Sequence, residues 1–176
     1  MSRYFSVLTG AGPDGALVYS LTSVHKSKFG RLAYYARAAK LFATRRFHTF
    51  EVEYTEAASG RVVTLSAVSA MAVRVDDLGG IFTGLTSREA RLEDKSIQLL
   101  LLAAPAWLSL PCWFVSGWLG IHRLNGFLRR IEVTSYSCRP AIGAASHVEA
   151  DGEWLGRLPV EVSLIPDALY ILAPRN

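Results

Sequence analysis

The chain has 176 residues, 51% of them hydrophobic and 19% charged. This composition excludes a disordered chain, and we expect residues 1–176 to form a single globular domain. The two cysteines, Cys112 and Cys138, are far apart and in no metal-ligand spacing, which predicts unpaired thiols in a reducing cytoplasm. The first residues, MSRYFSVLTGAGPDG, carry one arginine and a short apolar run broken by Gly and Pro, so we expect no signal peptide.

The formal net charge of +4 is unevenly distributed along the chain. No acidic residue lies between Gly15 and Phe50. The same stretch holds a set of basic residues: Lys26, Lys28, Arg31, Arg37, Lys40, Arg45 and Arg46. A basic surface of this kind suits anionic lipid headgroups, phosphates or nucleic acid, and a solvated helix face is the alternative explanation.

The first third of the chain changes from a helical to a strand period. Tyr4–Thr9 predicts a short strand, and the Gly-rich run Gly10–Gly15 ends it. A long helical region from about Ala16 to Arg46 is predicted next, because apolar residues recur at three- and four-residue spacing, with an interruption at Gly30. From His48 the period is two, and HTFEVEYTEA and VVTLSAVSAMAVRV predict a hairpin turned at SGR.

The second half alternates strand and turn patterns. SIQLLLLAA predicts a buried strand, RRIEVTSYSC an alternating strand, and His147–Pro174 three more strands, HVEA, VEVSLI and ALYILAP. Asp151-Gly152 and Pro166-Asp167 mark turns between them. One long N-terminal helical region, a short helical insertion and many hairpin strands together predict an α+β fold, mostly an antiparallel β-sandwich.

The stretch Ser96–Ile121 holds no charged residue. About 20 apolar residues would span a membrane, but Pro105 and Pro111 would disturb a spanning helix. We therefore predict a buried strand ending near Ala104 and a short helix starting near Pro111. Its aromatic residues would form one cluster, either as core packing or as a surface that meets the bilayer interface: Trp107, Trp113, Phe114 and Trp118.

Three familiar catalytic or binding patterns are poorly supported. Gly10–Gly15 matches G-x-G-x-x-G, but no acid follows until Glu51 and antiparallel hairpins come next, so a dinucleotide site is disfavoured. Asp14 suits a helix start, where it would interact with the helix dipole. The four histidines share no spacing that predicts a zinc site, and no G-x-S-x-G elbow predicts a hydrolase triad.

The tripeptide Asp151-Gly152-Glu153 has two interpretations. Asp-Gly between alternating strands is the strongest local hairpin signal, because Gly tolerates a positive φ. Two carboxylates at a hairpin tip can also hold a metal ion or accept a proton. Both interpretations remain open from local sequence.

Four segments resemble the soluble diacylglycerol kinase and sphingosine kinase family of lipid kinases. HVEADGEWLGRLPVEVSLIPDALYILAP resembles the family's C-terminal D-G-E hairpin, G-x-x-P turn and L-x-V-L-x-P strand. YFSVLTGAGPDGALV resembles its G-x-G-F-D-A element, with Pro13 for Phe and Gly15 for Ala. FGRLAYYARAAKLF resembles its basic helix, and ARLEDKSIQLLLL resembles its A-x-L-D-D-G-x-L-D strand start, with Lys95 for Gly and Gln98 for Asp.

The resemblance implies a set of roles. Glu153 would be the general base on a lipid hydroxyl, and Asp151 would lie beside the phosphates and Mg²⁺. Asp14 would lie on the substrate side of an interdomain cleft, and Asp94 with nearby backbone carbonyls would match a structural Mg²⁺ site. ATP would be held by a separate nucleotide-binding domain with a G-G-D-G-T loop, which nothing in the sequence matches.

Two functions are therefore carried forward. The chain would be the C-terminal, lipid-side half of an ATP-dependent lipid kinase, inactive alone and completed by a nucleotide-binding domain in trans. The alternative is a non-catalytic lipid- or membrane-binding module. In both cases we expect a cytoplasmic protein that meets the membrane surface through Lys26–Arg46 and Trp107–Trp118. Nucleic-acid binding is disfavoured, because no RNA-binding signature is present.

Overall fold

The computed structural model describes residues 2–22, 30–75, 94–166 and 168. These residues form three helices and nine strands, with a 3₁₀ turn at His122–Leu124. The elements in chain order are β1 Leu8–Ala11, α1 Pro13–Thr22, α2 Gly30–Thr44, β2 Phe50–Glu56, β3 Val62–Ala67, β4 Ser69–Val73, β5 Ile97–Leu102, α3 Ala106–Trp118, β6 Leu128–Pro140, β7 His147–Ala150, β8 Glu153–Arg157 and β9 Val160–Ser163.

All strand pairs are antiparallel, and the strand order is β3-β2-β6-β5-β4-β1-β7-β8, with β9 also paired to β6. The 13-residue strand β6 joins two parts of the sheet. Its start pairs with β5, whereas its end pairs with β2 and β9. Both parts contribute side chains to one buried core, which includes Val52, Leu99, Val133 and Val148. The predicted antiparallel α+β fold is therefore confirmed.

The predicted return strand after SGR is divided in two at Val68. Its first part, β3, pairs with β2, whereas its second part, β4, pairs with β5 and β1. The Val68 N–H donates to the carbonyl oxygen of Leu102 at 2.8 Å. One continuous apolar run of the sequence thus forms two strands with different partners. Its period-two alternation alone could not show that the first strand ends at Val68.

The long N-terminal helical region is not borne out. The described residues instead hold two separate helices of 10 and 15 residues. Gly30 is the first described residue of α2. Apolar spacing continues across the residues between the two helices, so periodicity could not locate the helix ends. Of the predicted basic surface, three side chains are described and all three are exposed: Lys40, Arg45 and Arg46. The predicted strand ALYILAP lies outside the described residues, except for Ala168.

The helical insertion α3 begins at Ala106, earlier than predicted, and contains Pro111. Its aromatic residues do not form one cluster. Trp107 and Trp118 expose 76% and 80% of their surface, whereas Trp113 packs against the apolar core under the helix. At 100° per residue the exposed Trp107, Leu108, Val115 and Trp118 fall within about a quarter of the helix circumference. We call these four residues the outer stripe.

Helix α1 lies directly against β7. The Gly12 N–H donates to the carbonyl oxygen of His147 at 2.9 Å. Gly12 has a φ of 101°, and a Cβ there would lie 2.4 Å from the Val68 carbonyl oxygen. A Cβ on Gly15 would lie 2.4 Å from the His147 carbonyl oxygen. The turn from β1 into α1 therefore requires glycine.

Gly12→Ala should destabilise the fold by about 3 kcal/mol, because it adds both backbone strain and a backbone clash. The measurement is the free energy of unfolding in urea. Gly126→Ala is the matched control, since a Cβ on Gly126 meets nothing within 4 Å. Equal stability losses in the two variants would contradict this account of the turn.

Candidate functional site

A pair of carboxyl groups lies where α1 meets β7, with Glu149 buried and Asp14 half-buried. Asp14, in the first turn of α1, is hydrogen-bonded through its side chain to Glu149 in the middle of β7. A Cβ on Gly10 would lie 2.3 Å from Asp14 Oδ2 and 3.2 Å from Glu149 Oε1, so both carboxyl groups sit over the Gly10 backbone. Glu149 is 1% exposed, and Gly152 N–H donates to its Oε2 at 2.9 Å.

Burial and mutual repulsion hold protons on this pair. Desolvation raises the pKa of Asp14 to about 6. Desolvation, together with the neighbouring Asp14 charge, raises the pKa of Glu149 to about 9. Two carboxylates in contact cannot both ionise cheaply, so at neutral pH the pair shares one proton. Apart from the contact between the two carboxyl groups, Asp14 Oδ2 and Glu149 Oε1 have no hydrogen-bond partner among the described residues.

Asp14 also contributes to the wall of a pocket that is otherwise almost wholly apolar. The pocket encloses about 540 Å³, part of it open to solvent. It lies between the three helices and the face of β4, β5 and β6 opposite the main core. Its lining residues are Pro13, Asp14, Leu17, Ala38, Phe42, Ser69, Met71, Leu100, Leu102, Leu110, Trp113, Phe114 and Leu128. One carboxyl group at the edge of an apolar pocket suits a ligand with a hydrocarbon chain and one polar end.

Asp151 occupies the tip of the β7–β8 hairpin, with φ 48° followed by 79° at Gly152. The predicted Asp-Gly turn is thus present, with the positive φ angles of a type I′ hairpin. Asp151 Oδ1 accepts from the N–H groups of Val7 and Leu8, and Oδ2 accepts from Ser6 N–H and its hydroxyl. These hydrogen bonds hold the pKa of Asp151 below its usual value, against the effect of burial. Both oxygens therefore fix the chain that enters β1.

Glu153 lies on the other side of the hairpin. It pairs with Ala150 across the strands, so its side chain projects from the face opposite Glu149. The side chain is 63% exposed and forms an ion pair with Arg3. The structure therefore brings Asp14 together with Glu149, and leaves Glu153 at the surface.

Asp94 lies beside a fixed positive charge. The guanidinium of Arg74 donates from Nη1 to the carbonyl oxygens of Asp94 and Ser96, at 3.1 and 2.7 Å. A cation bound by these two carbonyl oxygens would compete with Arg74 for them. The Mg²⁺ site implied at Asp94 therefore stays a prediction. Within the described ranges, no group of three or more His, Cys, Asp and Glu side chains could hold a metal ion.

Two further predictions can be compared with the structure. The G-x-G-x-x-G run does connect β1 to α1, but both neighbours of β1 are antiparallel, so the βαβ unit of a dinucleotide site is absent here. Both cysteines are free thiols, as predicted. No helix in the described part of the chain is long and apolar enough to cross a membrane.

Three solved structures similar to this chain are diacylglycerol kinase-like proteins. Two are structures of a candidate diacylglycerol kinase from Bacillus anthracis strain Sterne, with TM-scores of 0.61 and 0.56 and identities of 16% and 17%. A third, described as a diacylglycerol kinase from the same strain, has a TM-score of 0.50 and 14% identity. The matches cover 92% or 93% of this chain but only 47% to 50% of those proteins.

The chain thus has the fold of about half of these diacylglycerol kinase-like proteins. No protein-family model matches the sequence, and no curated protein is significantly similar to it.

Glu149 was not predicted as a site residue. The residue stands in HVEA, where an acid at alternate positions is typical of the solvent side of a strand. One signal was available: His147 and Glu149 occupy the same face, so this face of β7 carries two titratable groups. Only the packing of α1 shows that both are buried.

Glu149→Gln should stabilise the protein, increasingly so as the pH rises. Because the folded pKa of Glu149 is raised to about 9, the wild type loses stability from its unfolded pKa of 4.5 upward, whereas glutamine stays neutral. We expect similar melting temperatures for both proteins below pH 4.5, and a variant several degrees more stable near pH 8.5. A difference independent of pH would contradict the buried pair. Glu161→Gln, on β9, is the exposed control.

Proposed function

We propose that this chain is the C-terminal, lipid-side half of an ATP-dependent lipid kinase. A single observation carries the proposal: an apolar pocket with one carboxyl group, Asp14, in its wall, in a fold that matches half of diacylglycerol kinase-like proteins. A lipid hydroxyl at the end of a hydrocarbon chain has the same polarity pattern as this pocket.

In this proposal the hydrocarbon chain lies among the apolar lining residues and the hydroxyl points to Asp14. With one proton on the pair, Asp14 is the ionised member at neutral pH and accepts the hydroxyl hydrogen bond, while Glu149 holds the proton. The carboxylate thereby orients the oxygen and restrains its motion. Phosphoryl transfer depends mainly on such positioning and on neutralising charge.

The other half of the reaction belongs to a nucleotide-binding unit on the same chain or a partner. ATP and Mg²⁺ there would supply the phosphoryl group and neutralise its charge. The lipid oxygen bonds to phosphorus, the bond to ADP breaks, and a carboxylate of this chain accepts the hydroxyl proton. Glu153 remains a proposed base, since its exposed carboxylate at the start of β8 is open to such a unit. Asp151, with both oxygens already accepting hydrogen bonds, would shape the hairpin that carries Glu153.

Dioctanoylglycerol should bind to the isolated chain and change the fluorescence of Trp113, which lines the pocket. Ala38→Phe should abolish binding, because Ala38 lines the pocket and is 2% exposed. The matched control is Ala39→Phe, one residue along α2 and exposed, which should bind like the wild type. With ATP and Mg²⁺ but no nucleotide-binding unit, we expect no phosphorylated product.

The hydrogen bond between Asp14 and the lipid hydroxyl can be tested separately from the apolar contacts in the pocket. The wild type should prefer dioctanoylglycerol to its 3-O-methyl ether by about tenfold, because the ether lacks the donor for Asp14. Asp14→Asn should remove this preference while still binding both lipids. A wild type that binds neither lipid, or binds them equally, would defeat the proposed function.

The outer stripe of α3 favours a second candidate function, the lipid- or membrane-binding module. It lies on the same helix as the pocket residues Leu110, Trp113 and Phe114, but on the outside. Leu119, Ile121 and Leu124 extend it, exposing 63%, 42% and 80% of their surface. No acid lies between Asp94 and Glu132, whereas Arg123 and Arg129 are exposed in that interval. Exposed Trp and Leu beside uncompensated arginines suit an anionic bilayer surface.

Trp107→Ser with Trp118→Ser should reduce co-sedimentation with phosphatidylglycerol-containing vesicles severalfold, since each exposed ring contributes apolar area at the interface. Both residues are exposed, so we expect an unchanged melting temperature. Tyr4→Ser, an exposed aromatic on the N-terminal segment, is the control. Unchanged sedimentation of the double variant would exclude the outer stripe as the membrane contact.

A further inference from the structure

A second polar cluster lies on β7, two residues before Glu149, and packs against Tyr19 of α1. His147 is 2% exposed and is stacked on Tyr19 of α1, with ring centroids 4.5 Å apart and planes 20° apart. Trp154 of β8 packs against the same two rings, with centroids 5.0 Å from Tyr19 and 6.2 Å from His147. The imidazole is therefore held in a fixed orientation between two aromatic side chains.

The hydrogen bonds of His147 determine where its proton is. The indole N–H of Trp154 donates to Nδ1 at 3.1 Å. Because an indole nitrogen can only donate, Nδ1 must be an unprotonated acceptor, and a neutral imidazole then carries its proton on Nε2. Burial, with the nearby charges of Arg45 and Arg157, lowers the pKa of His147 and keeps the ring neutral.

The Nε2–H group then meets a second donor. Arg45 Nη2 lies 3.3 Å from His147 Nε2, and a guanidinium can only donate. Neither group can accept from the other, so two donors converge on one position. Arg157 lies directly across from His147 in the β7–β8 pairing, so its side chain leaves the same face. Arg45 and Arg157 are both exposed, and neither is in an ion pair with an acid among the described residues.

We propose that His147, Arg45 and Arg157 form a binding site for a phosphate group, with Trp154 and Tyr19 as its aromatic wall. An acceptor oxygen placed between Nε2–H and the Arg45 guanidinium would satisfy both donors, and Arg157 would bind a second oxygen. Two guanidiniums and one N–H are the donor set that proteins use for tetrahedral oxyanions. The site lies about 7 Å along β7 from Glu149, since the two residues are two positions apart in a strand. The inference concerns binding alone and does not require phosphoryl transfer.

The test is calorimetric titration of the full chain with inorganic phosphate and, separately, with dihexanoyl phosphatidic acid below its micelle concentration. We expect binding that weakens about tenfold in Arg45→Gln or Arg157→Gln, the loss of one charged hydrogen bond. Arg139→Gln, an exposed arginine on β6, is the control and should leave binding unchanged. Comparable affinity for both probes assigns the site to free phosphate, and a clear preference for the lipid assigns it to a headgroup.

Trp154→Phe tests the proposed site without changing the net charge of the protein. Without the indole donor, the His147 proton can move to Nδ1, and Nε2 can accept from Arg45 directly. This direct hydrogen bond between Arg45 and His147 would compete with phosphate, so phosphate binding should weaken although no charge has changed. Nitrogen-15 shifts of the wild-type ring should show Nε2 protonated and Nδ1 unprotonated. Failure of both probes to bind, equal weakening by Arg139→Gln, or a proton on Nδ1 would each overturn the proposal, and none of these results bears on dioctanoylglycerol binding.

Discussion

The contact on which the rest of the structure depends is the close approach of α1 to β7. It is possible because Gly12 adopts a positive φ beside the Val68 carbonyl, and because Gly15 has no Cβ to meet the His147 carbonyl. The approach places Asp14 on Glu149 and Tyr19 on His147. Both polar clusters are thus consequences of one backbone packing arrangement.

Placing two carboxyl groups in contact and away from water costs stability, which favours a functional reason for the arrangement. An isolated buried carboxyl group would simply remain protonated. The pair instead retains one proton and one negative charge at neutral pH, because ionising the second group would add like-charge repulsion in a dry environment. Such a pair can accept a hydrogen bond from a ligand through Asp14 while Glu149 keeps the proton. Its position in the wall of an apolar pocket makes that capacity available to a hydroxyl group carried on a hydrocarbon chain.

The features predicted correctly from the sequence are those that a local pattern of residues determines. The Asp151-Gly152 turn, the strand HVEA and the buried strand in SIQLLLLAA all occur as expected, because turn chemistry and alternation act over a few residues. The hydrogen bonds of Asp151 could not be predicted from local sequence, because its carboxylate oxygens accept from the N–H groups of Ser6, Val7 and Leu8, at the other end of the chain. Glu149 was missed for the same reason: its partner is on α1. The helix ends and the break at Val68 depend on packing against neighbouring strands, and the spacing of apolar residues in the sequence does not show that packing.

The proposed sites share a spatial order that follows from the fold. Helix α3 carries the pocket residues Leu110, Trp113 and Phe114 and also, on its exposed side, the outer stripe. Asp14 marks the polar end of the pocket, and His147 lies two residues from its partner Glu149 along β7. A lipid whose hydrocarbon chain lies under α3 would therefore have its headgroup directed toward β7. The His147 site lies about 7 Å along β7 from Glu149. No described acid forms an ion pair with its two guanidiniums, Arg45 and Arg157. The apolar and cationic surfaces thus follow one another in the same order as the hydrocarbon chain and the phosphate group of a phospholipid.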